Sequence, residues 1–207
     1  MKEDIFENGL KLPLIEEFYT VQGEGYHMGK AAYFIRLGGC DIACNWCDTK
    51  ISWRADKHKL ASVERIAESA GRSGANTIVV TGGEPTTYNL MPLCNELTER
   101  NIDLHIETSG AYPLTGEWDW ICLSPKRQQP PEKTIYKLAN ELKIIIFSEE
   151  DFEWAEECAK QVNKNCKLYL QPEWSQHVEL TPKVVEYVKQ NTKWSISIQA
   201  HKFMKVP

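Results

Sequence analysis

An α/β fold built on a parallel sheet is what this chain predicts, on three observations. Short apolar runs recur along it, segments with helical apolar spacing separate the runs, and the chemically unusual residues fall just after them. YFIRLGG, Tyr33 to Gly39, reads as a strand entering a cysteine-rich loop. Val63, Ile66, Ala67 and Ala70 then recur at helical spacing behind Ser62, a suitable cap. NTIVVTGG is the next strand and leads through Pro85 into a helix expected around Leu90 to Arg100. DLHIETSG and WICLSP follow as strands, then LKIIIF, a helix with Phe152, Ala155, Ala159 and Val162 on one face, and the strand LYLQP. Thr181 and Pro182 are expected to open the last helix, as a capping hydroxyl and a proline at the first helical position. WSISIQA closes the chain's strands. Such alternation implies right-handed crossovers and a sheet that is open or curled into a partial barrel. Ligands bind such sheets at the carboxyl ends of the strands. Cys40, Gly82 to Pro85, Thr108 to Gly110, Ser124 to Lys126, Gln171 with Pro172, and His201 all fall there. No repeat, linker or low-complexity segment interrupts the pattern, so a single domain over residues 1–207 is expected.

Composition narrows the function classes. The 207 residues, 42% of them hydrophobic, suffice for one substantial core. A formal charge of −5 and the lack of a basic run argue against a nucleic-acid partner. The longest purely aliphatic run, Ile144 to Ile146, cannot span a bilayer, and the opening MKEDIFENGLKLP carries Glu3, Asp4 and Glu7 where a signal peptide would be apolar. Seven cysteines, odd in number and unevenly spread, suit reduced thiols. A cytoplasmic protein with a small-molecule substrate is expected.

The stretch CDIACNWCDT, residues 40–49, holds Cys40, Cys44 and Cys47. Three thiolates can hold three irons of a four-iron cluster and leave the fourth open to an external ligand. A zinc module, with Asp48 or a distant cysteine as fourth ligand, is the competing reading. Cys94, Cys122 and Cys158 lie in expected helices and a strand, where a free cysteine behaves as a small apolar residue. The three-then-two spacing, with Trp46 before the last cysteine, resembles the radical S-adenosylmethionine (SAM) superfamily. TGGEP, Thr81 to Pro85, strengthens that resemblance. Its glycines let a ligand approach the backbone, and Glu84 can accept hydrogen bonds from an ammonium group.

FYTVQGEGYHMGKAAYFIRLGGC narrows the resemblance further. Gly23, Gly25 and Gly29 look like a dinucleotide fingerprint, but the last glycine is one residue late and a strand follows, so that reading fails. With VQGEG, Arg36 four residues before Cys40, CDT closing the loop, then ETSG, LSPK, LQP and the terminal HKFMKVP, nearly the whole chain resembles the 7-carboxy-7-deazaguanine synthase family. The resemblance implies a partial, incomplete (β/α) barrel of the radical SAM type. It also implies a reaction: 6-carboxy-5,6,7,8-tetrahydropterin is contracted to 7-carboxy-7-deazaguanine with loss of ammonia, toward queuosine and other 7-deazapurines. A [4Fe-4S] cluster on Cys40, Cys44 and Cys47, SAM and Mg2+ are the implied cofactors, with Thr49 as the Mg2+ ligand.

SAM contacts are implied for Trp46, Cys47, Asp48, Gly83, Glu84, Gly110, Ser124, Pro125, Lys126, Gln171, Pro172, Glu173 and Trp174; QPEW departs from the family's commoner ending after QP. Substrate contacts are implied for Val21, Gln22, Gly23, Glu24, Arg36, Thr108 and the carboxylate of Pro207, which would accept two parallel pterin donors. Without the motif, Arg36 reads equally as a strand residue paired with a surface acid. His201 is a proton carrier or a substrate hydrogen-bond donor, whereas His27, His58, His105 and His177 read as surface or strand residues. An electron donor such as flavodoxin and a homodimer are implied partners. An activating enzyme that makes a glycyl radical on a partner protein is the alternative within the superfamily.

Overall fold

The computed structural model describes residues 5–98 and 102–207. Among the described residues, nine strands form one sheet in the order β3-β1-β2-β4-β5-β6-β7-β8-β9. They are β1 (Lys11–Val21), β2 (Ala31–Leu37), β3 (Lys59–Ser62), β4 (Thr77–Gly82), β5 (Asp103–Thr108), β6 (Trp120–Leu123), β7 (Glu141–Ile146), β8 (Lys167–Pro172) and β9 (Trp194–Ile196). From β2 through β9 every neighbouring pair is parallel. β3 and β9 are free edges, so the sheet is a partial barrel and not a closed one.

The departure from an all-parallel sheet lies at one edge, where β1 runs antiparallel to both β2 and β3. The sequence KLPLIEEFYTV hides this strand. A proline, two adjacent glutamates and a register shift between Leu14 and Glu16 break its alternation.

The helices are α1 (Val63–Arg72), α2 (Met91–Thr98), α3 (Ile135–Leu138), α4 (Glu150–Ala159), α5 (His177–Gln190) and α6 (Ala200–Met204). Ser62 caps α1 as expected, its hydroxyl accepting from the Arg65 N–H at 3.4 Å, and Val63, Ile66, Ala67 and Ala70 are buried against the sheet. The expected helix to Arg100 is observed through Thr98; Arg100 lies outside the described residues. α4 ends at Ala159, so Val162 packs on the core from the following turn.

One expectation is corrected. Thr181 and Pro182 do not open α5, which starts at His177 and carries Pro182 inside it. Pro182 lacks the N–H that would reach Val178, but Val178 is 78% exposed and its carbonyl can turn to water. Thr181 bonds back to the His177 carbonyl at 2.6 Å instead of capping. No helix among the described residues is long and apolar enough to cross a membrane.

Candidate active site

A cavity of about 420 Å³ opens where the parallel strands end. After β2 the chain enters the cysteine loop, and Cys40, Cys44 and Cys47 line this cavity together as free thiols. Ile42, Cys44 and Ala111, with Trp46 and Tyr112 against them, form a small apolar cluster of their own that anchors the loop. The base of the loop is tied down by Gly39 and Cys40 N–H groups donating to Ser52 and Trp53 carbonyls. Burial pushes the Cys40 and Cys44 thiols up, and neighbouring cysteines push the same way. Three thiols on one short loop, opening on one cavity, are the donor set that an iron–sulfur cluster with one open iron requires. The four other cysteines are buried elsewhere, Cys94 and Cys158 in helices and Cys122 in β6, with Cys166 ahead of β8.

After β4, Gly83 and Glu84 reach the same cavity. The Glu84 carboxylate is not waiting free. It accepts from the Thr86 N–H (3.1 Å) and hydroxyl (2.7 Å), the Thr108 hydroxyl (2.5 Å), and the Ser109 N–H (2.8 Å) and hydroxyl. TGGEP is thereby fastened to the end of β5, and Glu84 acts first as the tie between the two.

Thr108 and Ser124 follow from β5 and β6, and Lys126 donates to the Ser124 carbonyl and hydroxyl at 2.7 Å each. The Lys126 ammonium lies 5.4 Å from the centre of the Trp46 ring. Burial lowers its pKa, with Cys44 opposing. Gln171, Pro172, Glu173 and Trp174 line the cavity after β8. Glu173 also caps the turn at Trp174–Gln176 by accepting from the Ser175 N–H at 3.0 Å. Gly110 and Pro125 do not line the cavity. Gly110, at φ +74°, instead backs onto Leu123, Ile135 and Pro131.

Val21 to Glu24, Arg36, His201 and Pro207 complete the lining. Arg36 pairs with Glu16 at 2.7 Å and also lines the cavity. Thr49 donates to Asp48 Oδ1 at 3.1 Å. The other Asp48 oxygen accepts from Gln199 (3.0 Å) and Lys202 (3.1 Å), and the same Gln199 amide nitrogen donates to Glu24 at 2.8 Å. Burial would raise Glu24, but Lys143, at 2.5 Å, holds it below the usual carboxylate range. Burial likewise lowers His201, with Glu24 opposing.

Sequence reasoning missed Lys143, Gln199, Lys202 and Glu107. Lys143 alone carried a signal, as the lone charge in the apolar run LKIIIF. His105 lies in a strand as expected, though it is buried, and His27, from the turn between β1 and β2, tilts its ring against it at 4.6 Å.

An open, mostly parallel sheet with a three-cysteine loop at its catalytic end is the arrangement of the radical SAM superfamily, and the model of that superfamily matches residues 34–122. The chain is 55% identical to the 7-carboxy-7-deazaguanine synthase of Flavobacterium psychrophilum, over 97% of this chain and 95% of that one. It is 45% identical to the synthase of Synechocystis, over 94% and 93% of the two chains. The crystal structure of QueE from Escherichia coli superposes with a TM-score of 0.83 at 32% identity, covering 97% of this chain and 99% of that one. This chain belongs to the 7-carboxy-7-deazaguanine synthase family.

Proposed function

We propose that this chain is a radical SAM lyase that converts 6-carboxy-5,6,7,8-tetrahydropterin to 7-carboxy-7-deazaguanine with loss of ammonia, in queuosine and 7-deazapurine biosynthesis. The observation that carries the reading is that one cavity gathers the cysteine loop, the VQGEG segment and Pro207. Relatives named as synthases leave the activating-enzyme alternative without support, and so too the zinc module.

Cys40, Cys44 and Cys47 would hold the [4Fe-4S] cluster, which together with SAM supplies hydrogen-atom abstraction when bound. The chain's own contribution is then positioning, because a radical reacts at the C–H bond held nearest to it. Gly83, Ser124, Lys126 and the Gln171–Trp174 segment would hold SAM. Val21 to Glu24 would hold the heterocycle, with Thr108 and the Pro207 carboxylate accepting or donating at its edge. Arg36 faces the substrate carboxylate in this reading and His201 holds or passes a proton. Thr49 would ligate Mg2+, a hard cation that takes few protein oxygens and completes its shell with water and substrate. A flavodoxin-like reductant, a homodimer, a single-domain organisation and a cytoplasmic location belong to the same reading.

The test is anaerobic turnover of the carboxytetrahydropterin by reconstituted protein. Formation of 7-carboxy-7-deazaguanine and ammonia in equal amounts is expected. Cleavage of SAM with no deazapurine product overturns the assignment.

A further inference from the structure

Beneath the large cavity the strands turn a second polar set of side chains inward. His105 of β5, Trp120 of β6 and Glu141 of β7 form a floor, and the segment between β1 and β2 packs Tyr26 and His27 against it. Tyr26 stacks on Trp120 at 4.9 Å, and His27 meets the same ring edge-on at 4.4 Å. A second cavity, of about 10 Å³, lies here among His27, His105 and Glu141. Its upper wall is Gln22, Glu24 and Glu107, which also line the large cavity. Those three side chains are thus a shared partition.

Glu141 is 3% exposed. Its Oε2 accepts from Trp120 Nε1 at 3.1 Å and from the Tyr26 N–H at 3.3 Å, while its Oε1 has no partner. Both ring nitrogens of His27 are likewise buried without a partner. Gly25 leaves the carboxylate uncovered, since a Cβ there would lie 2.0 Å from Oε1. An unpaired buried polar group costs about 1–3 kcal/mol, and a polar cavity of this size accommodates one water.

We propose that this floor cavity holds one hydrogen-bonding molecule of water size and, with Glu141 and His27, stores a proton for the carboxylates Glu24 and Glu107 that wall the substrate cavity. The proposal rests on the function proposed above. That conversion is redox-neutral overall: a ring carbon of the tetrahydropterin loses a proton as the ring becomes aromatic, and the departing nitrogen gains one to leave as ammonia. Between loss and gain the proton needs a holder out of bulk water. The stored molecule would donate to Glu141 Oε1 and accept from the N–H of a neutral His27.

Burial raises Glu141, Lys143 opposing, while Glu107 adds to the rise. Burial lowers His27 and His105 to about 4, with Lys30 acting the same way on both and Asp103 and Asp119 opposing.

The test has two arms. A high-resolution crystal structure of the holoenzyme should show one ordered water within hydrogen-bond reach of Glu141 Oε1 and a His27 ring nitrogen. In kinetics, Glu141→Gln and His27→Gln should each lower kcat by about tenfold or more. KM for the pterin and SAM cleavage without substrate should not change, and the solvent deuterium isotope effect on kcat should rise above that of the parent. A merely structural role would not raise it. An empty floor cavity, or isotope effects in both variants equal to the parent's, overturns the proposal. Absence of pterin turnover by the parent would instead sink the proposed function, and the crystallographic arm would still decide the cavity.

Discussion

The two faces of the same parallel strands carry opposite chemistry. Toward the helices, Ile78, Val80, Leu104, Ile106, Leu142, Ile144 and Leu170 join one continuous apolar core. Toward the concave side, the alternate positions include Thr81, His105, Glu107, Lys143 and Gln171, all buried or half-buried, beside the apolar Val79, Cys122 and Ile145. The concave face holds its buried polar groups mainly by pairing them, Glu141 Oε1 and the His27 ring nitrogens excepted. Lys143 meets Glu24, Gln22 donates to Glu107 at 2.9 Å, and Ser197 donates to Gln171 at 2.6 Å. Such buried pairs contribute little net stability against an apolar replacement. What they provide is fixed donor and acceptor positions next to a ligand. The outer face therefore sets stability and the inner face sets chemistry.

The largest break in that comparison comes from its cysteines. Cys44→Ala removes a thiol that opens on the cavity and should abolish iron binding and SAM cleavage together. Cys158→Ala removes a fully buried thiol on the helix side, and should leave iron content and turnover as in the parent. Iron and sulfide analysis after anaerobic reconstitution decides between them. A full iron complement in Cys44→Ala would remove the basis for the cluster.

Ile106 and Glu107 are adjacent in β5 and point to opposite faces. Ile106→Ala should lower unfolding stability by about 2–5 kcal/mol with little change in substrate KM. Glu107→Gln, nearly isosteric, should cost much less stability and raise KM or lower kcat by about tenfold or more, the worth of a charge-assisted hydrogen bond. Urea denaturation and steady-state kinetics on both variants separate the faces. Equal kinetic damage from the two would mean that the division is false.

Legibility in the sequence follows the same division. Most of the helix-side pattern was readable, because apolar periodicity is what a helix-covered parallel strand requires. The strands from β2 to β9 that carry long apolar runs, and α1 with its cap, came through. β1 does not, since its proline, its adjacent glutamates and its register shift against β2 leave no clean period. Thr-Pro is a helix-opening signal in isolation, but α5 starts ahead of it, where the Trp174–Gln176 turn runs straight into His177, whose ring stacks on Trp174 at 4.2 Å. At the site, motif residues were legible and their holders were not. Gln199 bridges Glu24 and Asp48 across 175 and 151 residues of chain, a relation that no local spacing encodes. The Glu84 ties to Thr108 and Ser109, at and just after the end of the next strand, are of the same long-range kind.

Acid should act on the inner face first. Burial holds the His105 imidazole down to about 4, from 6.5. The unfolded chain therefore takes up this proton first, so stability is whole above pH 6.5 and falls as the pH drops toward 4. For one buried imidazole with that shift, the loss between pH 7 and pH 5 is about 2 kcal/mol. His105→Gln removes the group, so its stability should fall less over the same interval. The raised carboxyl of Glu141 acts in the opposite direction and is common to both proteins, which is why the difference between them is the quantity to measure. Equal acid sensitivity of parent and variant would show that His105 titrates as an exposed residue.

The smallest effect tests the outer layer away from any cavity. Ser62 caps α1, which covers the helix side of the sheet, and its hydroxyl reaches the Arg65 N–H at a long 3.4 Å. Loss of an N-cap acceptor costs about 0.5–2 kcal/mol, and a bond this long belongs at the low end. Ser62→Ala should therefore shift the urea midpoint slightly downward with an unchanged slope, while KM, kcat and iron content stay at parent values. The hydrogen bond satisfies one of the orphan donors of the first turn and nothing beyond it. No residue of α1 lines the cavity, so a frayed first turn has no short path to the inner face. A kinetic change in this variant larger than its stability change would show that the outer layer also positions the site, and the separation of the two faces would have to be given up at the β3–α1 edge.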